Sequence, residues 1–238
     1  MNLDSLLFSK DPGLLGVLRQ TLEKLSINVE VCTEADACSE SLANRKFDAV
    51  IIDCDDQPNG VTLLGGLRQT QSNAKAVAFA VLNGKTTTQE AFEYGANFVL
   101  QKPLTPLHAT RCFHAAIDFM LRERRRYFRY PIEIPVQVVI DGTREIQART
   151  TNLSESGVAI HATSRLDKDR PVALRFTLPD SDILLELKGD VVWADTVGGA
   201  GIRFADLPQN SKHQLEQWLT ERLQKEMPAR LQTYPALN

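Results

Sequence analysis

The rule by which apolar residues recur along this chain changes once, near Arg122, and that change limits the fold more than any single motif. Up to about residue 122, short apolar runs alternate with amphipathic segments of helical length, the pattern of a parallel sheet covered by helices on both faces. Candidate strands cover 3–9, 28–32, 49–53, 76–82 and 98–101. Apolar residues at three- and four-residue intervals predict helices over 12–25, 34–44, 60–71, 86–94 and 106–122. Asp11 before Pro12 suits the unsatisfied amides of a first helical turn. Beyond residue 122 the runs become alternating and β-branched, over 136–140, 144–152, 157–161, 171–178, 184–194 and 199–204. Asp141-Gly142, Pro179-Asp180 and Gly198-Gly199 separate them as turns, which predicts an antiparallel barrel or sandwich. Helical spacing returns over 208–226 through Leu215, Trp218, Leu219 and Leu223, a stripe suited to capping one open end of that barrel. The expected fold class is therefore α/β plus β, with a five-unit βα domain over 1–122, a β-barrel domain with a C-terminal helix over 123–226, and a loose tail over 227–238.

A formal net charge of -3 over 238 residues argues against a nucleic-acid coat protein, and 43% hydrophobic with 24% charged residues are soluble globular proportions. The most apolar stretches, such as 76–82, fall far short of the roughly 20 residues that span a bilayer. No basic-then-apolar leader opens the sequence, so a cytoplasmic location and no membrane span are expected. Cys32, Cys38, Cys54 and Cys112 show neither zinc-like pairs nor a secreted disulfide framework, and the four histidines lack metal-ligand spacing. No metal and no cofactor are expected. No nucleophile-and-base constellation or glycine-rich phosphate loop stands out, so the expectation is a protein that is not an enzyme.

Functional groups in parallel sheets gather at the carboxyl ends of the strands, which here carry Ser9, Cys32, Asp53, Leu82 and the Lys102-Pro103 step. Asp53 after Val50-Ile51-Ile52, with Lys102-Pro103 after the fifth strand, resembles the flavodoxin-like receiver domain of response regulators over about residues 1–120. The resemblance implies a phosphoacceptor aspartate at Asp53 and a partnering lysine at Lys102. Two departures make that site vestigial. Ser9 and Lys10 stand where the family carries an acidic pair for Mg²⁺, and Lys10 is expected to oppose a cation there by its charge. The family's hydroxyl residue is also missing near Ala80, Val81, Leu82 and Asn83. A degenerate receiver of this kind is expected to serve as a docking surface for an unidentified protein partner or for a homodimer.

The junction reads Arg122-Glu123-Arg124-Arg125-Arg126-Tyr127-Phe128-Arg129-Tyr130-Pro131. Such an arginine cluster suits a solvated helix end, a nucleic-acid patch or a receptor for phosphates on one compact ligand. Arginine combines a planar fork for phosphate oxygens with a flat face that stacks on bases. The second element, Asn152-Leu153-Ser154-Glu155-Ser156-Gly157, falls between two predicted strands, where Gly157 allows a positive φ or close approach of a ligand.

Together, Arg125-x-x-x-Arg129 followed by Asn152-x-Ser154-x-x-Gly157 resembles the PilZ domain, a family of bacterial cyclic di-GMP receptors, over about residues 123–223. Trp193 and the run Gly201-Ile202-Arg203-Phe204 look like that family's closing strands. The resemblance implies that Arg125 and Arg129 contact phosphate and guanine edges, that Asn152 and Ser154 supply polar contacts from the other side, and that Gly157 keeps the backbone close. Arg124, just before the motif, implies a stacked pair of ligand molecules. Guanine O6 and N7 form an acceptor pair matched to an arginine fork, which gives the assignment a physical basis. Trp193 reads as a barrel core or rim residue and Trp218 as packing. The expected function is a cyclic di-GMP receptor that passes second-messenger binding to a partner or to its own receiver-like domain through an ordered arginine segment. An interaction scaffold without ligand, and a phosphorylation-controlled nucleic-acid regulator, are the alternatives. Nothing outside the arginine cluster resembles a groove-reading module, so nucleic acid is not the expected partner.

Overall fold

The computed structural model of the chain describes residues 2–226; the tail expected over 227–238 lies outside them. The chain divides into two compact units, the first ending at Arg124 and the second running over Arg125–Glu226.

The first unit has five parallel strands, β1 (Leu3–Phe8), β2 (Ile27–Cys32), β3 (Ala49–Asp53), β4 (Val77–Leu82) and β5 (Phe98–Gln101), in the spatial order β2-β1-β3-β4-β5. Helices α1 (Pro12–Lys24), α2 (Ala35–Asn44), α3 (Gly60–Leu67), α4 (Thr88–Glu93) and α5 (Pro106–Tyr127) connect or follow them. Every residue of β3 and β4 is buried, as expected of central parallel strands covered on both faces, whereas β2 and β5 expose residues at the sheet edges. Asp11 accepts the amides of Gly13 and Leu14 and so starts α1, while Thr87 and Glu90 close a reciprocal capping box on α4. This order reverses direction between β1 and β3, and the carboxyl ends of those strands flank the point where parallel sheets carry their functional groups.

Helix α5 continues to Tyr127, past the end predicted at 122. Arg, Glu and Tyr between Arg122 and Tyr127 are all tolerated in a helix, and Pro131 is the first proline to follow. The arginine run is thus mostly helical rather than an open entrance segment.

The second unit is a closed six-strand antiparallel barrel of β7 (Pro135–Ile140), β8 (Arg144–Ser154), β9 (Gly157–Ala162), β10 (Pro171–Thr177), β11 (Leu184–Ala194) and β12 (Gly199–Ala205), with β6 (Tyr130–Pro131) pairing on β8 outside the ring. Pairing of β8 with β9 closes the ring that otherwise runs β8-β7-β10-β11-β12-β9. Asp141 and Gly142 both take positive φ in the hairpin between β7 and β8, which a residue with a bulky branched side chain would resist. Helix α6 (Gln209–Glu226) adds Leu215, Trp218 and Leu219 to the core cluster of the barrel. Trp218 donates its indole N–H to the Pro179 carbonyl at 3.0 Å and meets Tyr130 edge-on. All four cysteines are free thiols; burial pushes those of Cys38 and Cys54 up to about 12, so neither is a thiolate at neutral pH. No described helix is long and apolar enough to cross a membrane.

Candidate functional site

At the carboxyl ends of β1, β3 and β5 the first unit assembles a charged centre. The ammonium of Lys102 lies 2.9 Å from Asp53 Oδ2, 3.2 Å from Asp11 Oδ2 and 2.7 Å from Asp56 Oδ2. Ser9 donates its hydroxyl to Asp53 Oδ2 at 2.8 Å. Burial works against the charged form of Lys102, yet its bonds to Asp56, Asp53 and Asp11 outweigh that and hold its pKa above the ordinary lysine value. Asp53 is fully buried, and its Oδ1 has no hydrogen-bond partner among the described residues. Asp55, two residues further on in the loop after β3, accepts from the amides of Asn83, Lys85 and Thr86 and ties that loop to the one after β4.

Beside the expected pair Asp53 and Lys102 stands a third member, Asp56, which lies beyond the end of β3 and which no strand-end position marks. The expected opposition of Lys10 to a cation needs correction: its side chain turns outward to Glu34 at 2.7 Å. Lys102 supplies the opposing charge instead. A divalent cation does not fit this centre as arranged, because one ammonium already engages all three carboxylates and an uncharged Ser9 fills the next position. Among the described residues no group of three or more His, Cys, Asp or Glu is placed to hold a metal ion.

The second unit carries a cavity of about 210 Å³ lined by Arg129, Asn152, Ser154, Gly157, Trp193 and Arg203, among others. Two strand irregularities build it. Along β8 the residues facing the core are Ile146, Ala148 and Thr150; a bulge between Thr150 and Asn152 shifts the phase, so Leu153 is buried and Asn152 turns outward. Along β11 the core residues are Leu185, Leu187, Gly189 and Val191; a bulge before Trp193 turns that indole out, leaving it 47% exposed. The exposed indole packs on Gly201 of β12, where a methyl group would overlap its Nε1.

The guanidinium groups of Arg129 and Arg203 are exposed and have no ion-pair or hydrogen-bond partner among the described residues. Ser154, by contrast, is buried and donates to the Gly157 carbonyl at 3.0 Å, fastening the turn. Gly157 serves the barrel too: a side chain there would collide with the Ile202 carbonyl, so close strand approach, and no positive φ, explains the glycine.

Arg125 does not line the cavity, but it meets the same turn through Glu155, with Nε 3.0 Å from Oε1, and donates from Nη1 to Thr220 of α6 at 2.6 Å. Arg124 points elsewhere. It is buried in the first unit, bonded to Asp4 at 3.0 Å and paired with Asp48 at 3.2 Å, so its expected part in holding a second ligand molecule finds no geometric support. Trp193 and Arg203 are lining residues that periodicity alone could not assign.

The family model of the response regulator receiver domain matches residues 6–111 and that of the PilZ domain matches residues 123–221. Comparison with curated proteins gives no match. Among solved structures, the receiver domain of a sensor histidine kinase from Pseudomonas aeruginosa is 18% identical, with 48% of this chain and 97% of that chain covered and a TM-score of 0.43. The chemotaxis response regulator CheY4 of Vibrio cholerae is 17% identical, with 48% and 98% covered and a TM-score of 0.45. The PilZ domain of CeSA from a cellulose-synthesizing bacterium is 22% identical, with 40% and 98% covered and a TM-score of 0.34. The chain therefore carries a response regulator receiver domain over residues 6–111 and, after it, a PilZ domain over residues 123–221.

Proposed function

We propose that this protein is a non-enzymatic cyclic di-GMP receptor that passes ligand binding to a protein partner or to its own receiver domain. The observation that carries the reading is the cavity lined by Arg129, Arg203, Asn152 and the exposed Trp193, whose two guanidinium groups have no ion-pair or hydrogen-bond partner among the described residues. Cyclic di-GMP offers two phosphates for the arginines and two purines for a flat aromatic or guanidinium face. About 210 Å³ suits one purine, and falls below the roughly 300–1,000 Å³ of pockets that enclose a drug-sized ligand, so the rest of the dinucleotide would lie along the open side next to Arg129 and Arg125.

In this reading Arg129 and Arg125 take phosphate, Asn152 and Arg203 bond base or phosphate edges, and Trp193 stacks. Ser154 and Gly157 act by shaping the turn. With Arg124 committed to Asp4 and Asp48, one ligand molecule per chain is the expected stoichiometry. The receiver domain, its three carboxylates all engaged by the Lys102 ammonium, is assigned a docking or dimerisation role rather than phosphotransfer.

Calorimetric titration of the full chain with cyclic di-GMP tests the proposal, beside Arg129→Ala and Arg125→Ala. Saturable binding near one equivalent that falls about tenfold or more in either variant supports it. Absence of saturation at micromolar concentrations favours the ligand-free scaffold, and salt-sensitive retention of DNA or RNA instead would favour the nucleic-acid regulator.

A further inference from the structure

We infer that Glu155 is a built-in competitor for the ligand's phosphate, its carboxylate holding the Arg125 guanidinium until cyclic di-GMP displaces it. The inference rests on the receptor reading above and adds a residue that neither motif position specifies. Glu155 lies inside the polar turn, between the buried Ser154 and Gly157, so a group of the binding turn itself reaches Arg125. Nε of Arg125 and Oε1 of Glu155 are 3.0 Å apart and both are shielded from solvent, yet their geometry makes no hydrogen bond and neither atom has another hydrogen-bond partner among the described residues. Such a pair has lost water without gaining a directional bond, which makes it exchangeable for an anion that can supply one.

The other end of the guanidinium is fixed. Nη1 donates to Thr220 Oγ1 at 2.6 Å, and Thr220 donates onward to the Glu216 carbonyl at 2.6 Å, so the Nε edge is presented to the turn while α6 holds the opposite side. Arg129 offers the contrast, since its guanidinium is exposed and has no partner among the described residues. One motif arginine is thus open and the other is occupied by a carboxylate, an anion that can mimic one edge of a phosphate. Burial, opposed by Arg125, raises the pKa of Glu155, which accords with a carboxylate placed where its charge is poorly solvated and readily expelled.

The test measures cyclic di-GMP affinity of the full chain by calorimetry for wild type, Glu155→Ala and Glu155→Gln, with phenylglyoxal labelling of Arg125 followed by mass spectrometry without ligand. Removing the competitor should tighten binding by about threefold or more and speed labelling of Arg125 while leaving that of Arg129 unchanged. The glutamine variant keeps the shape of the side chain should the alanine variant fold poorly. Binding equal to or weaker than wild type in the folded variants, or unchanged Arg125 labelling, overturns the competitor role, and wild-type binding then leaves the receptor reading standing. Absence of binding in all three chains defeats the receptor reading and this inference with it.

Discussion

The indole of Trp193 on β11 lies directly over Gly201 on β12, its paired residue in the antiparallel register, with no room for a methyl group between them. A side chain at position 201 would displace the aromatic face that borders the cavity. If that face stacks on a guanine, Trp193→Ala should weaken cyclic di-GMP binding about tenfold, from a stacking contribution of roughly 1–3 kcal/mol. Gly201→Val should weaken it as well by lifting the indole off the strand. Ligand should change the emission of Trp193 and spare that of the buried Trp218, so a Trp193→Phe variant should lose the fluorescence response. Unchanged affinity in both Trp193→Ala and Gly201→Val would remove the indole from the site.

Lys102 is the counter-charge for three carboxylates, of which Asp53 has no contact with solvent. Lys102→Met should therefore destabilise the receiver domain by about 3–5 kcal/mol, the usual cost of leaving a buried charge alone. Adding Asp53→Asn should recover part of that loss, because the orphaned charge goes with it. Urea unfolding of the two single variants and the double variant gives the coupling. Strictly additive losses would mean that Asp11 and Asp56, rather than Asp53, carry the interaction.

Acid should weaken the same domain through identifiable groups. Asp11 is held below the ordinary aspartate range chiefly by the Leu14 amide, against some burial and with help from Lys102. For Asp55, burial pushes upward, but bonds from Thr86, Asn83 and Lys85 outweigh it and lower its pKa. A depressed folded value means stabilisation that is fully present above the unfolded pKa of 3.8 and disappears as pH falls through the folded value. Asp55→Asn should accordingly lower the thermal midpoint near pH 7, and the gap to wild type should close below about pH 4. A gap that stays constant into acid would place the stabilisation in neutral contacts.

The architecture is legible in the sequence because its periodicities are clean. Short apolar runs such as Val50-Ile51-Ile52 read as buried central strands, and Leu215, Trp218, Leu219 and Leu223 recur at helical spacing on one face. What escaped is what phase decides. A bulge costs one residue and reverses every side chain beyond it, so Asn152 and Trp193 change faces at irregularities that no local propensity announces. The same holds for the arginines. Ending α5 at 122 leaves Arg124 and Arg125 without a helical phase, whereas a helix through Tyr127 gives consecutive residues different directions, one to Asp4 and Asp48 and the other to Glu155 and Thr220. Asp56 and Glu34 lie beyond strand ends, and only tertiary structure brings them to Lys102 and Lys10.

The two motif arginines should separate when stability and affinity are measured together. Arg129 is exposed and has no partner among the described residues, so Arg129→Ala should change folding stability by no more than about 0.5 kcal/mol while weakening cyclic di-GMP binding about tenfold or more. Arg125 holds Thr220 and neutralises a half-buried carboxylate, so Arg125→Ala should cost about 1–3 kcal/mol of stability at pH 7 as well as affinity. That stability cost should depend on pH in a definite direction. Burial raises the pKa of Glu155 and Arg125 opposes the rise, with Arg126 and Lys212 acting in the same sense as Arg125 and Glu216 against it. Without Arg125 the folded value climbs further, and the cost of keeping the carboxylate charged is fully present above that value. It shrinks as pH falls through the two folded values, because protonated Glu155 no longer needs a counter-charge, and it is at its minimum once pH is below the wild-type folded value, itself raised above the ordinary glutamate value of 4.5. Thermal unfolding of Arg125→Ala between pH 7 and pH 4 should show this convergence with wild type, and Arg125→Ala combined with Glu155→Gln should show almost none of it. A pH-independent deficit in the single variant would assign the loss to the Thr220 bond instead.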